Sequence, residues 1–157
     1  MTREQMTAAG TPQAQSGMTR EEIVAFFERR QRLFDDLDAE GLAEEYADHA
    51  VVESPSAGTH TGRKAIEQAF RSVFGAFLDL KTHPEALLID GDGVAQLVSS
   101  EGTQIGEFLG MPPTGKPFRL AVVFIYEFKD RKIVHERRIY DFTGLFIQIG
   151  MLKAKPV

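Results

Sequence analysis

The sequence predicts an α+β domain in which three N-terminal helices pack against one face of an antiparallel sheet. Before residue 78 the apolar residues recur mainly with the period of a helix, and after residue 79 they alternate as in strands. Short polar or Gly/Pro-rich segments at residues 90–93, 110–117 and 129–132 separate the strand-like runs and are typical of hairpin connections. Helices followed by hairpin-linked strands indicate the α+β class.

The first helix begins at a capping box, because Thr19 and Glu22 have the spacing at which each side chain can bind a free amide of the first turn. Its apolar residues share one face and are Ile23, Phe26, Phe27, Leu33, Phe34 and Leu37. Two further helices are predicted at residues 39–46 and 63–77. Between them we expect a brief strand at residues 51–53 and a loop at residues 56–62.

Four longer strands are predicted at residues 80–89, 94–106, 118–128 and 133–142. The third is expected to be central, since one of its faces is apolar throughout and the other carries few charges. The apolar face consists of Phe118, Leu120, Val122, Phe124, Tyr126 and Phe128. In the last strand, alternation places His135, Arg137 and Asp141 on one face, which we expect to look into the concave side of the sheet.

Length and composition are typical of a single globular domain, which we place at residues 18–157 of the 157-residue chain. With 43% hydrophobic residues and 12 Phe, this domain can bury a sizeable core. Residues 1–17 are rich in Gln, Thr, Ala and Gly, and they predict a disordered tail.

Charge and residue types exclude several classes of function. A net charge of −5 offers no basic surface for nucleic acid, and no run approaches the ~18 apolar residues of a membrane span. The absence of cysteine excludes disulfides and thiolate metal sites, and it fits a cytoplasmic location. The four histidines lack paired ligand spacing, so we predict neither a metal ion nor a cofactor.

The main catalytic candidate is Asp141, which lies between Tyr140 and Phe142 and just before the apolar run that contains Leu145. A carboxylate among apolar side chains loses hydration, which raises its pKa and lets it exchange protons near neutral pH. The alternative is that Asp141 only caps a short terminal helix at residues 142–149, and an ion pair with Arg137 would weaken a role as base.

Other side chains are candidates for lining a substrate cavity, although a surface or core-edge position is an alternative for each. The polar candidates are Glu53, His60, Glu101, Gln104, Tyr126, Arg137 and Tyr140. The aromatic residues of the first and third helices, Phe74 among them, are expected to form the core and to border an apolar cleft at the open end of the sheet.

The segment from Gly102 to Lys116, GTQIGEFLGMPPTGK, followed by KIVHERRIYD and LFIQIG up to Gly150, resembles the SnoaL-like polyketide cyclase (ester cyclase) family. The resemblance implies the NTF2-like cone, a curved antiparallel sheet around an apolar cavity that helices close. It also implies an intramolecular aldol ring closure without metal or organic cofactor. Asp141 matches the family's acid–base carboxylate near the end of the last strand.

The leading hypothesis is therefore a proton-transfer enzyme, a cyclase or isomerase, that acts on a hydrophobic ketone or ester with Asp141 as general acid and base. Gln104, Tyr126 or His60 would bind the developing enolate oxygen. The alternatives are a non-catalytic module that binds hydrophobic small molecules, and an epoxide hydrolase-like enzyme. Because both faces of the sheet carry apolar residues, we also expect a homodimer.

Overall fold

The computed structural model describes residues 17–155, which form four helices and one six-stranded sheet. The elements in chain order are α1 (Arg20–Asp35), α2 (Ala39–Glu44), β1 (Tyr46–Ser54), β2 (Gly58–Thr61), α3 (Arg63–Ala76), β3 (Lys81–Asp90), β4 (Gly93–Thr103), β5 (Pro117–Lys129), β6 (Lys132–Tyr140) and α4 (Phe142–Gln148). The α+β class is confirmed. The tail predicted at residues 1–17 lies, except for Gly17, outside the described residues.

The sheet is mixed, with the strand order β2-β1-β6-β5-β4-β3. The prediction of a purely antiparallel sheet is wrong at one pair, because β1 and β6 run parallel. The two strands are far apart in sequence, and parallel pairing becomes possible when a long crossover replaces a hairpin. The loop predicted at residues 56–62 contains β2, a four-residue edge strand in which His60 pairs with Val52 of β1.

The helices pack on the inner face of this curved sheet. The predicted capping box is confirmed, since the Thr19 amide donates to Glu22 Oε2 at 2.8 Å and the Glu22 amide donates to Thr19 Oγ1 at 3.2 Å. The apolar face predicted for β5 is also confirmed, because its residues alternate between buried and exposed positions in the expected register. The core therefore lies between the aromatic residues of α1 and α3 and those of β5.

The face predicted for β6 is wrong from His135 onward, and a β-bulge is the reason. Pairing of β5 with β6 shifts between Glu127↔His135 and Phe128↔Ile133, so Val134 is an extra residue in β6. One extra residue moves every later side chain to the opposite face. Glu136 is consequently buried and Arg137 is exposed.

Candidate active site

An apolar cavity of about 400 Å³ lies between α3, the inner face of the sheet and α4. Its wall is mainly aromatic and aliphatic. The aromatic part consists of Phe34, Phe70, Phe74, Phe77, Phe108, Phe118, Phe124 and Tyr140. A concave, mostly apolar cavity with a few polar groups is the usual form of a small-molecule site.

The polar residues of the wall are few and are Ser54, Ser56, His60, Ser72, Thr82, Ser100, Arg138 and Tyr140. Tyr140 comes from the end of β6, and its hydroxyl is within hydrogen-bond reach of Ser56 Oγ and lies 3.4 Å from Ser54 Oγ. Arg138 is the one permanently charged side chain in the wall among residues 17–155. The site thus combines an apolar body with a single cationic group.

His60 of β2 is a titratable group of the wall whose pKa is lowered. Partial burial, and then the charge of Arg138, lower the pKa of His60 below its ordinary value of 6.5. Its Nε2 atom is buried and has no hydrogen-bond partner among the described residues. At neutral pH the cavity therefore holds an uncharged imidazole with a nitrogen that can accept or donate a proton, depending on the tautomer.

Behind the cavity wall lies a buried ionic network centred on Glu136. Its Oε1 atom accepts a hydrogen bond from Arg138 Nε at 2.5 Å, and its Oε2 atom accepts one from the Tyr46 hydroxyl. Arg30 of α1 contributes a second guanidinium to this network. Its Nη2 atom lies 3.3 Å from Glu136 Oε2 and donates a hydrogen bond to the Tyr46 hydroxyl oxygen at 2.6 Å. Its Nη1 atom forms an ion pair with Glu45.

The charges in this network hold one another in the ionised state. Burial alone would raise the pKa of Glu136, but Arg138 and Arg30, with the Tyr46 hydrogen bond, lower it below the ordinary value. Burial opposes the charge of Arg138 as well, yet Glu136 and Tyr46 raise the pKa of that guanidinium. Burial raises the pKa of Glu45, and the nearby charge of Arg30 offsets only part of that increase.

Asp141 is exposed and serves as the N-cap of α4, where its Oδ1 atom accepts a hydrogen bond from the Gly144 amide at 2.8 Å. The expectation that this carboxylate is buried among apolar side chains is wrong. The reason is local, because β6 ends at Tyr140 and the first free amides of α4 attract the carboxylate. Its neighbours Tyr140 and Leu145 both line the cavity, whereas Asp141 does not.

Three of the other predicted residues, His60, Phe74 and Tyr140, line the cavity, and five do not, namely Glu53, Glu101, Gln104, Tyr126 and Arg137. Gln104 is fully buried in the loop after β4, where its side chain binds the carbonyls of Gly106 and Pro112 and accepts from Thr114. Tyr126 is fully buried in the core, and the centroid of its ring lies 5.3 Å from Arg30 Cζ. The expectation that Gln104 and Tyr126 border the cavity is wrong. Gln104 stabilises a loop through its hydrogen bonds, and Tyr126 lies in the core behind the cavity wall.

Glu53 and Arg137 lie on the other face of the sheet. Glu53 Oε2 is 2.7 Å from His135 Nε2, and the alternation of β1 places Glu53 opposite in direction to the buried Val52. Arg137 is exposed because of the bulge in β6. Their predicted positions in the pocket are therefore wrong.

Arg138 is the charged residue of the wall, and the sequence did not predict it there. The run HERR in β6 has no apolar residue from which to read the inward face. Without that reference, a one-residue bulge cannot be detected from alternation. A useful signal would have been the i, i+2 spacing of Glu136 and Arg138, which suits an ion pair on one face of a strand.

Within residues 17–155 there is no group of three or more Asp, Glu or His side chains arranged to hold a metal ion. None of the helices described for this stretch is long and apolar enough to cross a membrane.

A curved sheet that encloses an apolar cavity closed by helices is the architecture of an NTF2-like domain. The comparison with known families is consistent with that class, because the family model for SnoaL-like polyketide cyclase matches residues 10–149. The chain belongs to the SnoaL-like polyketide cyclase family.

Individual relatives agree with this assignment. The chain is 32% identical over 117 residues to nogalonic acid methyl ester cyclase of Streptomyces nogalater, a match that covers 74% of this chain and 84% of that protein. The structure of TsrD from Streptomyces laurentii superposes with a TM-score of 0.76 at 21% identity and covers 86% of this chain and 99% of that chain. The structure of a protein of Jannaschia sp. CCS1 that is described as a SnoaL-like polyketide cyclase superposes with a TM-score of 0.70 at 24% identity. This match covers 83% of this chain and 92% of that chain.

Proposed function

We propose that this protein is a cyclase that closes a ring in a hydrophobic ketone or ester bound in the apolar cavity. A base removes a proton from the carbon next to a carbonyl, the resulting enolate carbon attacks a second carbonyl of the same molecule, and the new alkoxide takes a proton back. No atom is lost and no oxidant is needed. The supporting observation is a mostly apolar cavity of about 400 Å³ with a small polar group of residues, in a chain similar to a methyl ester cyclase.

Asp141 is the proposed acid and base. The resemblance to the family implies that it corresponds to the acid–base carboxylate, and it lies directly after Tyr140 and four residues before Leu145, both of which line the cavity. In the structure its Oδ1 atom is engaged by the Gly144 amide. The proposal therefore requires the start of α4 to turn this carboxylate toward bound substrate, which would also remove it from water and raise its basicity.

His60 is a second candidate for the base, and a specific observation favours it. Its unpartnered Nε2 atom and lowered pKa give the cavity wall a neutral imidazole at pH 7. A group whose pKa lies near or below the working pH is available to accept a proton.

Two conservative variants separate these candidates. Asp141→Asn keeps a residue that caps helices well but removes the carboxylate, and His60→Gln removes the imidazole. The measurement is the rate of ring closure of nogalonic acid methyl ester, followed by chromatography. We expect Asp141→Asn to reduce the rate at least a hundredfold, a typical effect of losing an acid–base group, and His60→Gln to reduce it less.

The matched control is Asp38→Asn. Asp38 caps α2 through the Gly41 amide at 2.9 Å, the same arrangement that Asp141 has with Gly144, but it is exposed and does not line the cavity. This variant should retain full turnover. An active Asp141→Asn with an inactive His60→Gln would transfer the acid–base role to His60.

The non-catalytic binding module and the epoxide hydrolase-like enzyme remain the alternatives, and the exposed, hydrogen-bonded state of Asp141 favours the first of them. A binding module would bind nogalonic acid methyl ester without turnover. An epoxide hydrolase would instead convert limonene oxide to the diol.

The homodimer is proposed on the basis of the outer face of the sheet. Its exposed apolar residues include Leu88 at 70%, Ile125 at 40% and Ile139 at 48% of their full exposure. A symmetric contact between two such faces would cover them. Light scattering should give a dimer for the wild type and a monomer for Ile139→Lys, and a monomeric wild type would contradict the proposal. A cytoplasmic location likewise stays a prediction.

A further inference from the structure

The cavity contains a charged group that an apolar substrate alone does not require. Arg138 is nearly buried, with its side chain 12% exposed, and the described part of the wall contains no carboxylate. A guanidinium removed from water is costly unless it is paired and hydrogen-bonded. The hydrogen bonds that Arg138 makes within the protein therefore indicate whether the protein alone offsets the free-energy cost of burying this guanidinium.

The protein satisfies Arg138 only in part. Its Nε atom donates to Glu136, but Nη2 has no hydrogen-bond partner among residues 17–155. A guanidinium has five N–H donors, and carboxylates usually engage it with two parallel hydrogen bonds. Arg138 therefore retains donor capacity that its one protein carboxylate does not use.

The carboxylate that Arg138 contacts is also shared with a second cation. Glu136 lies 3.3 Å from Arg30 and accepts from Tyr46, so its negative charge serves two guanidinium groups. Arg30 has Glu45 as an additional partner, whereas Arg138 has no other ion pair among the described residues. The guanidinium with fewer carboxylate contacts is thus the one on the cavity side of the network.

Aromatic contacts hold the Arg138 guanidinium in place. Its Cζ atom lies 5.1 Å from the ring centroid of Phe70 and 5.8 Å from that of Phe124, and both rings line the cavity. Such contacts favour a cation over an aromatic face. His60 responds to the same charge through its lowered pKa, which leaves the histidine neutral and unable to replace Arg138 as the cation.

We infer that Arg138 is the anion-recognition residue of the cavity and binds a negatively charged oxygen on an apolar ligand, either a carboxylate or the oxygen of an ionised enol. This inference rests on the proposed function, in which an enolate oxygen forms inside the cavity. The apolar wall accommodates the body of the ligand, and the guanidinium donates to the charged oxygen. A hydrogen bond to a charged group of this kind strongly favours the anion over its neutral ester.

The test is calorimetric titration of unreactive probes at pH 7. Anthraquinone-2-carboxylate and its methyl ester share one ring system and differ in charge, 2-hydroxy-1,4-naphthoquinone supplies an ionised enol, and acetate supplies the charge without the apolar body. We expect the carboxylate to bind about tenfold or more tightly than the ester, and acetate to bind far more weakly. The affinity of the naphthoquinone shows whether Arg138 binds an ionised enol oxygen in the same way as it binds a carboxylate.

The variants are Arg138→Gln, which removes the charge, and Arg138→Lys, which keeps it. Arg137→Gln is the matched control, because Arg137 is the neighbouring arginine of β6 and is exposed on the opposite face. We expect the preference for the carboxylate to vanish in Arg138→Gln, to persist in part in Arg138→Lys and to remain whole in Arg137→Gln. Circular dichroism establishes that each variant is folded.

Equal affinity of the wild type for the carboxylate and the ester would overturn the inference, whether or not Arg138→Gln folds. So would a preference that survives in folded Arg138→Gln, or a failure of both anionic probes to bind. These binding results do not depend on turnover. Ring closure without an anion preference would contradict this inference alone, and an anion preference without ring closure would contradict the proposed function alone.

Discussion

Arg138 Nε donates to Glu136 Oε1 at 2.5 Å, and this hydrogen bond connects the wall of the cavity to the buried charges behind it. Glu136 is fully buried, and its other oxygen is occupied by Tyr46 and Arg30. The same carboxylate therefore orients the cationic group of the site and joins α1 to β1 and β6.

Glu136→Gln should destabilise the fold strongly. The substitution keeps the shape of the side chain but leaves Arg138 without a carboxylate partner and Arg30 with Glu45 alone, and removing one partner of a buried pair costs about 3–5 kcal/mol. Urea denaturation measures the free energy of unfolding. Glu127→Gln, at an exposed position of β5, should stay within about 0.5 kcal/mol of the wild type. A loss below about 1 kcal/mol in Glu136→Gln would show that the network contributes little.

Gln104→Ala should reduce stability without changing turnover per folded molecule. It removes the hydrogen bonds that the fully buried Gln104 side chain makes to Gly106, Pro112 and Thr114, at a cost of about 2–4 kcal/mol. Thermal unfolding and kcat are the two measurements. The exposed Gln68 of α3 provides the control, since Gln68→Ala should change neither. A Gln104→Ala protein of normal stability but low kcat would restore Gln104 as a substrate-binding residue.

Two glycines that face each other should respond in opposite directions to alanine. A Cβ atom at Gly106 would overlap the carbonyl oxygen of Gly75, a backbone atom that cannot move aside easily. A Cβ atom at Gly75 would meet nothing within 4 Å, and alanine is about 1 kcal/mol better than glycine inside a helix. We expect Gly106→Ala to lower the melting temperature by several degrees and Gly75→Ala to hold or raise it. The reverse order would contradict the close approach of this loop to α3.

The pH dependence of stability should contain a contribution from His60. Partial burial and Arg138 lower its pKa in the folded state below 6.5, so below pH 6.5 the unfolded chain binds more protons at this residue than the folded chain does. Stability should therefore fall as pH decreases from 6.5 toward the folded-state pKa. His60→Gln should show a smaller decrease over this range, as measured by urea midpoints between pH 5 and 7.5, while the exposed His49→Gln should follow the wild type. Parallel curves for wild type and His60→Gln would contradict the lowered pKa.

Most of the fold could be predicted because its elements carry local signals. The capping box at Thr19 and the apolar period that follows define α1, and the apolar face of β5 identifies a central strand. The parallel pairing of β1 with β6 has no local signal, because it joins residues such as Val52 and Glu136 that are far apart in sequence. The edge strand β2 was missed for a related reason, since its four residues depend on pairing with β1.

The site was predicted less well because its geometry depends on one bulge. Strict alternation assigned Arg137 to the cavity, and the extra residue Val134 brought Arg138 there instead. His60 was singled out as a polar residue in a predicted loop, and its unpartnered nitrogen became visible only in three dimensions. The sequence around Asp141 allowed two interpretations, a carboxylate buried among apolar side chains or the cap of a short terminal helix. In the structure the carboxylate caps α4.

The most direct test of the account is whether the cavity is where ring closure takes place. Ala69 of α3 lines the cavity and Gln68 beside it is exposed, so Ala69→Phe should place a phenyl ring in the cavity while Gln68→Phe should not. The measurement is the rate at which nogalonic acid methyl ester is cyclised by the wild type and by these two variants. The account predicts ring closure by the wild type and Gln68→Phe, and a large loss in folded Ala69→Phe. No ring closure above the buffer rate by the wild type, or an Ala69→Phe protein as fast as the wild type, would contradict it.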